Sequence, residues 1–168
     1  MAHEEHRRAA PASVSCAVVT VSDTRTPETD LSGRLTRELL AAAGHRIAAA
    51  RIVPDDPEEV RRVLLDLLGD EGVDAVLLNG GTGIAPRDRT LEAVAALLER
   101  TIDGFGEIFR HLSYQEIGPA AMLSRATAGI ARGRVVFSMP GSPGAVRLAL
   151  EKLILPEIAH AVGEARKR

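Results

Sequence analysis

Residues 75–88 of the 168-residue chain read AVLLNGGTGIAPRD, in which a short apolar run passes directly into a glycine-rich loop. The apolar residues 75–78 do not alternate with polar ones, which is typical of a strand buried on both faces of a parallel sheet. Three glycines within four positions, Gly80, Gly81 and Gly83, let backbone amides approach a ligand closely and form a nest for an anion. The stretch therefore predicts a strand followed by a phosphate-binding loop.

The same order of strand and helix precedes this stretch. Residues 15–21, SCAVVTV, are rich in β-branched side chains and predict a first strand. Leucines four apart within residues 31–39, followed by a glycine, predict a helix. Residues 47–53 predict a second strand, and residues 56–68 begin with an Asp-Pro pair and continue as an amphipathic helix. A βαβαβ order favours a mostly parallel sheet with helices on both faces, so we expect a three-layer α/β/α sandwich.

The chain after the glycine-rich loop is expected to be mainly helical. Apolar spacing predicts helices over residues 90–98 and 105–115. Two short apolar runs separated by a four-residue turn predict a β-hairpin within residues 127–138. A last amphipathic helix starts near Val146, and Pro156 is expected either to kink it or to begin a new helix.

Length and composition fit one ordinary globular domain. Hydrophobic residues make up 45% of the chain. A chain of this size buries roughly two thirds of its unfolded surface, which provides a core without disulfides or metal ions. Residues 1–12 are polar and charged and are expected to form a flexible tail, which leaves residues 13–168 as a single domain.

Charge, aromatic content and cysteine usage disfavour several classes of function. The 21 basic and 23 acidic side chains nearly balance and only 2% of residues are aromatic, which disfavours nucleic acid as a partner. Charges interrupt every apolar stretch before it reaches the roughly 18 residues that span a bilayer, so no membrane segment is expected. The one cysteine, Cys16, lies in an apolar run and cannot form an internal disulfide, which fits a cytoplasmic protein.

Three polar or glycine-rich segments follow the predicted strands directly, at residues 22–30, 54–56 and 79–88. In a parallel sheet the carboxyl ends of the strands meet at one edge, and ligands bind there near the reversal of strand order. Thr82 adds a hydroxyl donor to the glycine-rich loop, whose natural ligand is a phosphate. The loop has neither the Gly-x-Gly-x-x-Gly spacing nor the Lys-Ser/Thr of a Walker A motif, so a plain strand-to-helix turn is the alternative.

Asp88 suggests a metal ion beside this loop. A carboxylate next to a bound phosphate is repulsive unless a cation lies between them, and Mg²⁺ bridges carboxylates and phosphate oxygens. Asp55, after the second strand, could join Asp88 around one ion, whereas Asp56 is better placed as a helix N-cap. The alternative for Asp88 is that it only caps the helix beginning at Thr90. The five histidines show no metal-ligand spacing, which disfavours zinc.

A second turn-rich loop, residues 138–145 with the sequence SMPGSPGA, leads into the last helix. Its amides at a helix N-terminus suit a second anionic group, although Pro and Gly are also ordinary constituents of a structural turn. Arg125 could form a bidentate pair with a phosphate, and Ser113 and Ser124 are small polar residues in helical or apolar surroundings. Solvated surface is the alternative for each of these three side chains.

Taken together, Gly80-Gly-Thr-Gly83, Arg87-Asp-Arg-Thr90 and Met139-Pro-Gly-Ser-Pro-Gly-Ala145 resemble the MoaB/MogA molybdopterin-binding family of molybdenum cofactor biosynthesis. The resemblance extends over residues 15–161, and residues 109–118, FRHLSYQEIG, are closer to the MoaB branch than to MogA. Departures are mild, such as Asn79 where many relatives have threonine. Shorter segments that support the resemblance in the same order are VSD at 21–23, DLSG at 30–33, VPD at 53–55, GFGE at 104–107 and LSR at 123–125.

The resemblance implies an α/β/α fold that assembles into trimers or dimers of trimers. It implies an activity that transfers AMP from ATP to molybdopterin with release of pyrophosphate, with Mg²⁺ as cofactor and a molybdenum insertase as a candidate partner. Asp55 and Asp88 correspond to acidic residues of the family's active site and are the candidate Mg²⁺ ligands. The implied substrate-binding residues are Ser22, Asp23, Gly80, Gly81, Thr82, Gly83, Arg87, Ser113, Ser124, Arg125, Pro140, Gly141 and Ser142.

Two other functions remain open from the sequence. A binding protein of the same fold would hold molybdopterin without adenylylating it, and would show no Mg²⁺-dependent binding of nucleotide. A nucleotide-pyrophosphate hydrolase would cleave a dinucleotide in the absence of the pterin. Because both aspartates are present, adenylyl transfer is the favoured function.

Overall fold

A computed structural model describes residues 10–167, so most of the tail expected at residues 1–12 lies outside the described residues. The strands are β1 (Ser15–Val21), β2 (Arg46–Val53), β3 (Ala75–Asn79), β4 (Arg100–Thr101), β5 (Thr127–Ala131) and β6 (Arg134–Met139). The α-helices are α1 (Leu31–Ala42), α2 (Pro57–Gly69), α3 (Thr90–Ala95), α4 (Asp103–Ile117), α5 (Pro143–Ala149) and α6 (Leu155–Ala165). A 3₁₀ helix (Gly118–Leu123) follows α4, and a π-helical turn (Leu150–Ile154) joins α5 to α6.

The six strands form one sheet in the order β2-β1-β3-β6-β5-β4. β1 pairs in parallel with both β2 and β3, and β3 pairs in parallel with β6. β5 and β4 are added antiparallel at one side. The chain thus leaves β1 for β2 on one side and returns to β3 on the other, which places the reversal of strand order between β1 and β3. The predicted mostly parallel sheet is confirmed.

Apolar layers cover both faces of the sheet. Val18 and Phe137 belong to one buried cluster, which includes side chains of α1, α4, α5 and α6. Their neighbours Val19 and Val136 belong to a second cluster, with side chains of α2 and α3. Successive strand residues point to opposite faces, so apolar runs without alternation supply both clusters. The three-layer α/β/α sandwich is confirmed.

Local signals in the sequence account for the ends of several elements. Asp56 accepts hydrogen bonds from the backbone N–H groups of Glu58 and Glu59, each at 3.0 Å, and is the N-cap of α2 as predicted. Arg132 and Gly133 both have positive φ, at 50° and 72°. A two-residue type I′ turn requires this backbone, so the predicted hairpin forms with a tighter turn than expected.

The structure departs from the expected elements mainly after residue 95. The helix predicted over residues 90–98 ends at Ala95, and neither β4 nor the 3₁₀ helix was predicted. A new α-helical segment begins one residue before Pro156, but a π turn connects it to α5 without interruption. Pro156 has no N–H to donate to the carbonyl four residues earlier. The wider turn, in which the N–H of Leu155 bonds to the carbonyl of Leu150, accommodates this loss.

Candidate functional site

The carboxyl ends of β1, β3 and β6 meet at the reversal of strand order, and the loops that follow them converge there. A cavity of about 180 Å³ lies between these loops. The structure therefore brings residues 22–30 and 79–88 to one edge of the sheet, together with the loop after β6. The cavity is lined by Thr20, Val21, Ser22, Arg25, Asp30, Leu31, Ser32, Asn79, Gly80, Gly141 and Pro143.

The glycines of the loop after β3 leave room for neighbouring groups. A Cβ on Gly80, which has φ +99°, would lie 2.2 Å from the carbonyl oxygen of Val21. A Cβ on Gly81, which has φ +65°, would lie 2.0 Å from Thr90 Oγ1 and 3.0 Å from Asp55 Oδ1. A Cβ on Gly83 would lie 2.6 Å from Asp88 Oδ2. Backbone conformation thus favours glycine at the first two positions, the hydroxyl of Thr90 adds to this at Gly81, and the carboxylate of Asp88 lies against Gly83.

Asp55 lies close enough to Asp88 for the negative charge of Asp88 to affect the ionisation of Asp55. Burial, followed by the negative charge of Asp88, raises the pKa of Asp55 above its ordinary value, while the positive charge of Arg87 opposes the shift. A hydrogen bond between the two carboxyl groups adds to the rise, because such a bond needs a shared proton. The N-cap position of α3 is Arg89 and makes no side-chain capping bond, so Asp88 is not the helix cap that was considered as its alternative role.

Asp23 ties the loop after β1 to the two other segments. Its Oδ1 accepts a hydrogen bond from the backbone N–H of Asp55 at 2.9 Å, and its Oδ2 pairs with Arg87 Nη2. The three segments predicted to meet at this edge are therefore joined by direct contacts. Arg87 is 32 residues beyond Asp55 in the chain and 64 beyond Asp23, so no local pattern could have revealed the pairing.

Arg125 stabilises the glycine-rich loop by donating hydrogen bonds to three of its backbone carbonyls. Its Nε donates to the carbonyl of Thr82 at 3.0 Å, and its Nη2 donates to the carbonyls of Gly83 and Asp88 at 2.9 and 2.8 Å. Its Nη1 pairs with Glu92 at 2.5 Å, and this hydrogen bond lowers the pKa of Glu92. Four of the five N–H groups of the guanidinium thus have protein partners. The phosphate contact expected of Arg125 stays a prediction, whereas the contacts observed give it a structural role in the loop that carries Asp88.

A buried polar network, which the sequence analysis did not single out, forms one wall of the cavity. Asp30 is 4% exposed and accepts hydrogen bonds from Gly33 N at 2.8 Å and from Thr20 Oγ1 at 2.7 Å. Thr20 Oγ1 accepts in turn from Asn79 Nδ2 at 3.1 Å. The available signal was the Asp three residues before Gly33 at the start of a helical pattern, which is typical of an N-cap.

The remaining predicted residues lie in different places. Gly141 lines the cavity, and its carbonyl accepts a hydrogen bond from Ser32 Oγ at 2.7 Å. Ser142 caps α5 by accepting from Ala145 N at 3.2 Å, and Pro140 precedes this turn. Ser113 is buried on α4 and Ser124 follows the 3₁₀ helix. Within residues 10–167, neither serine is among those that line the cavity, so their substrate contacts stay predictions.

The acidic pair fits a Mg²⁺ ion. Mg²⁺ is usually held by one or two protein carboxylates and keeps several water or phosphate ligands, which matches two adjacent carboxylates beside a glycine-rich loop. The described part of the chain contains no group of three or more His, Cys, Asp or Glu side chains suited to a metal ion. Thr90 is 1% exposed, and its buried hydroxyl lies against Gly81 and has no hydrogen-bond partner among residues 10–167.

Fold and site together define an α/β/α ligand-binding domain in which a glycine-rich loop lies beside a pair of carboxylates at the edge of a parallel sheet. Residues 17–160 match the family described as "Probable molybdopterin binding domain". The chain belongs to this MoaB/MogA molybdopterin-binding family, as its motifs predicted.

Individual relatives cover nearly the whole chain. The chain is 57% identical to molybdenum cofactor biosynthesis protein B of Bacillus subtilis (strain 168), over 99% of both sequences. It superimposes with a TM-score of 0.92 on a crystal structure of a molybdenum cofactor biosynthesis protein B, at 56% identity over 95% of this chain and 99% of the other. The TM-score is 0.85 with the tungsten cofactor synthesizing protein MoaB from Pyrococcus furiosus, at 42% identity over 94% of this chain and 100% of the other. The family's role is thus molybdenum cofactor biosynthesis, and these names agree with the expected MoaB branch.

The sequence predicts no membrane-spanning segment. Within residues 10–167, the structure contains no helix that is both long and apolar enough to cross a bilayer.

Proposed function

We propose that the protein transfers AMP from ATP to molybdopterin with release of pyrophosphate. The observation that carries the proposal is the contact of Asp55 with Asp88 beside Gly81 and Gly83 at the reversal of strand order. Two adjacent carboxylates, of which Asp88 disfavours the ionisation of Asp55, form a site for a divalent cation, and the backbone amides of the glycine-rich loop beside them suit phosphate groups.

Charge explains how such a site would act. The terminal phosphate of molybdopterin would attack the α-phosphorus of ATP in line, forming a new P–O bond as the bond to the leaving pyrophosphate breaks. Mg²⁺ held by Asp55 and Asp88 would neutralise charge on the two polyanions and on the leaving group. The backbone N–H groups of residues 81–83 and the guanidinium of Arg87 would bind equatorial oxygens of the transferred phosphate. No general base is needed, because the attacking phosphate is already ionised.

We further propose that the chain forms trimers or dimers of trimers. Five large apolar side chains on α4 and the 3₁₀ helix are 49–79% exposed in the isolated chain, and exposed apolar surface is typical of a subunit interface. A cytoplasmic location and a molybdenum insertase as partner belong to the same proposal and rest on the family resemblance. The five side chains, called the α4 patch below, are Ile108, Tyr114, Ile117, Met122 and Leu123.

The test measures pyrophosphate release from ATP and Mg²⁺, with and without molybdopterin, by the parent protein and by Asp55→Asn and Asp88→Asn. We expect pterin-dependent release, lowered by about a hundredfold or more in both variants, since loss of one electrostatic stabiliser typically costs this much. Asp56→Asn is the matched control, because it removes the same charge at the next position while asparagine still caps α2.

Other outcomes of this test would contradict the assigned site or favour a different function. Release at the parental rate by Asp88→Asn would contradict the assigned site. A protein that binds molybdopterin but releases no pyrophosphate under any condition would be a non-catalytic binding protein. Cleavage of a dinucleotide without the pterin would identify a nucleotide-pyrophosphate hydrolase.

A further inference from the structure

A second cavity, of about 590 Å³, lies between α1, the edge strand β2 and the loop after β1. Arg25 of the loop, Arg37 of α1 and Arg51 of β2 all line it. Three cationic side chains from three different elements therefore face one space, which we call the arginine groove.

These three guanidinium groups have no counter-charge in the described part of the chain. Within residues 10–167, no carboxylate lies within ion-pair distance of any of them. The one acidic residue lining the groove is Asp30, whose two oxygens already accept hydrogen bonds from Gly33 N and Thr20 Oγ1. Several arginines elsewhere are paired with acids, namely Arg62, Arg87, Arg125, Arg147 and Arg166.

We propose that the arginine groove binds a phosphate-bearing anion, with Arg37 and Arg51 as its principal donors. Gathering like charges without a counter-charge is unfavourable, and a bound anion removes this repulsion. Guanidinium groups match the geometry of phosphate oxygens and form charge-assisted, often bidentate, hydrogen bonds with them. The volume is that of a pocket for a whole small molecule, so a diphosphate or triphosphate group fits it better than a single phosphate.

The groove continues into the cavity at the reversal of strand order, because Arg25 and Asp30 line both spaces. A molecule held in the cavity can therefore extend an anionic group into the groove. Asp55, Asp88 and the glycines of residues 80–83 are not among the residues that line the groove. The inference is thus independent of the proposed adenylyl transfer.

Calorimetric titration of the full chain with inorganic pyrophosphate, at low salt and without Mg²⁺, tests the inference. We expect Arg37→Gln and Arg51→Gln each to raise the Kd by about tenfold, the effect of losing one charge-assisted hydrogen bond. The matched control is Arg34→Gln, which makes the same change of charge on the exposed surface of α1 outside the groove. We expect the control to keep the parental Kd, and Arg87→Gln distinguishes pyrophosphate bound at the glycine-rich loop from pyrophosphate bound in the groove.

Three results would overturn the inference. They are the absence of measurable binding to the parent protein, an equal loss in Arg34→Gln and Arg37→Gln, and a loss confined to Arg87→Gln. The second would indicate general charge attraction, and the third would move the pyrophosphate to the glycine-rich loop. Loss of pyrophosphate release in Asp88→Asn with unchanged binding at the groove would separate the two sites.

Discussion

Asp55 and Asp88 share a small space because Gly81 and Gly83 have no side chains there. The residue types and their position after strands could be predicted from the sequence, since a glycine-rich turn and acids after β-strands are local patterns. The contacts could not be predicted, because Asp55 and Asp88 are brought together only by the pairing of strands far apart in the chain. The same holds for Arg125, whose carbonyl partners lie 37 to 43 residues away.

The raised pKa of Asp55 predicts how stability depends on pH. The folded protein binds more protons than the unfolded chain between the ordinary pKa of 3.8 and the raised value. The stabilising contribution is complete below the ordinary pKa and is lost as pH rises through the raised value. Without Mg²⁺, Asp55→Asn should raise the free energy of unfolding near pH 7, with no gain near pH 3. Urea denaturation across this range measures it, and a variant less stable than the parent at neutral pH would contradict the account.

Gly81→Ala should destabilise the protein by more than its backbone conformation alone requires. Both Gly81 and Gly44 have positive φ, at +65° and +87°, but a Cβ on Gly44 would meet nothing within 4 Å. Gly44→Ala therefore measures the backbone cost, about 1–2 kcal/mol. Gly81→Ala adds a clash with Thr90 and should cost at least about 1 kcal/mol more. Equal losses of stability in the two variants, measured by urea denaturation, would argue against the close packing at Gly81.

Helices and strands were predicted well where a local pattern marks both ends. The N-cap and proline of α2, the leucine spacing of α1 and the β-branched run of β1 each carry their own signal. β4 has only two residues, Arg100–Thr101, without an apolar pattern, and it forms because β5 lies beside it. Its presence depends on tertiary pairing, so the sequence around it gave no indication of a strand.

The N-cap of α2 separates the roles of two adjacent aspartates. Asp56→Ala removes the acceptor for two backbone N–H groups and should lower the free energy of unfolding by about 1 kcal/mol. Nucleotide and pterin binding should be unchanged at temperatures where the variant is folded, because the substituted side chain faces the helix rather than Asp88. Thermal unfolding and a binding titration on the same sample measure both effects. Lost binding in a folded Asp56→Ala variant would place Asp56 in the site.

The surface of the protein includes an exposed apolar patch on α4 and the 3₁₀ helix. The side chains of the α4 patch are largely exposed, whereas the buried faces of the same helix contribute Phe105 and Phe109 to the core. Sequence periodicity predicted α4 but could not assign its outer apolar residues, since an amphipathic pattern does not distinguish core from subunit contact. Solvent exposure shows that these side chains lie outside the core, which supports the proposed assembly.

Met122→Glu should disrupt the proposed assembly. Met122 is 79% exposed in the isolated chain, so a glutamate costs little in a monomer but would be buried as a charge in an interface. We expect the mass measured by light scattering to fall towards that of one chain. Ala42→Glu, at an exposed position on α1 outside the patch, is the control and should retain the parental mass. A parental mass in both variants would exclude this patch from the interface.

The π-helical turn at Leu150–Ile154 has a consequence for how the chain tolerates changes in length. The hydrogen bond from the N–H of Leu155 to the carbonyl of Leu150 spans one residue more than a hydrogen bond of an α-helix. The turn therefore behaves as a single-residue insertion absorbed within a continuous helix. Deleting one residue within the turn would remove this insertion and restore ordinary α-helical winding without rotating the helix beyond it, whereas deleting one residue from α5 would rotate that helix by roughly 100°. Ile158 and Val162, both fully buried, would turn away from the sheet in the second case and keep their places in the first. The turn is therefore a point at which the chain can lose a residue while α6 keeps its buried face against the sheet.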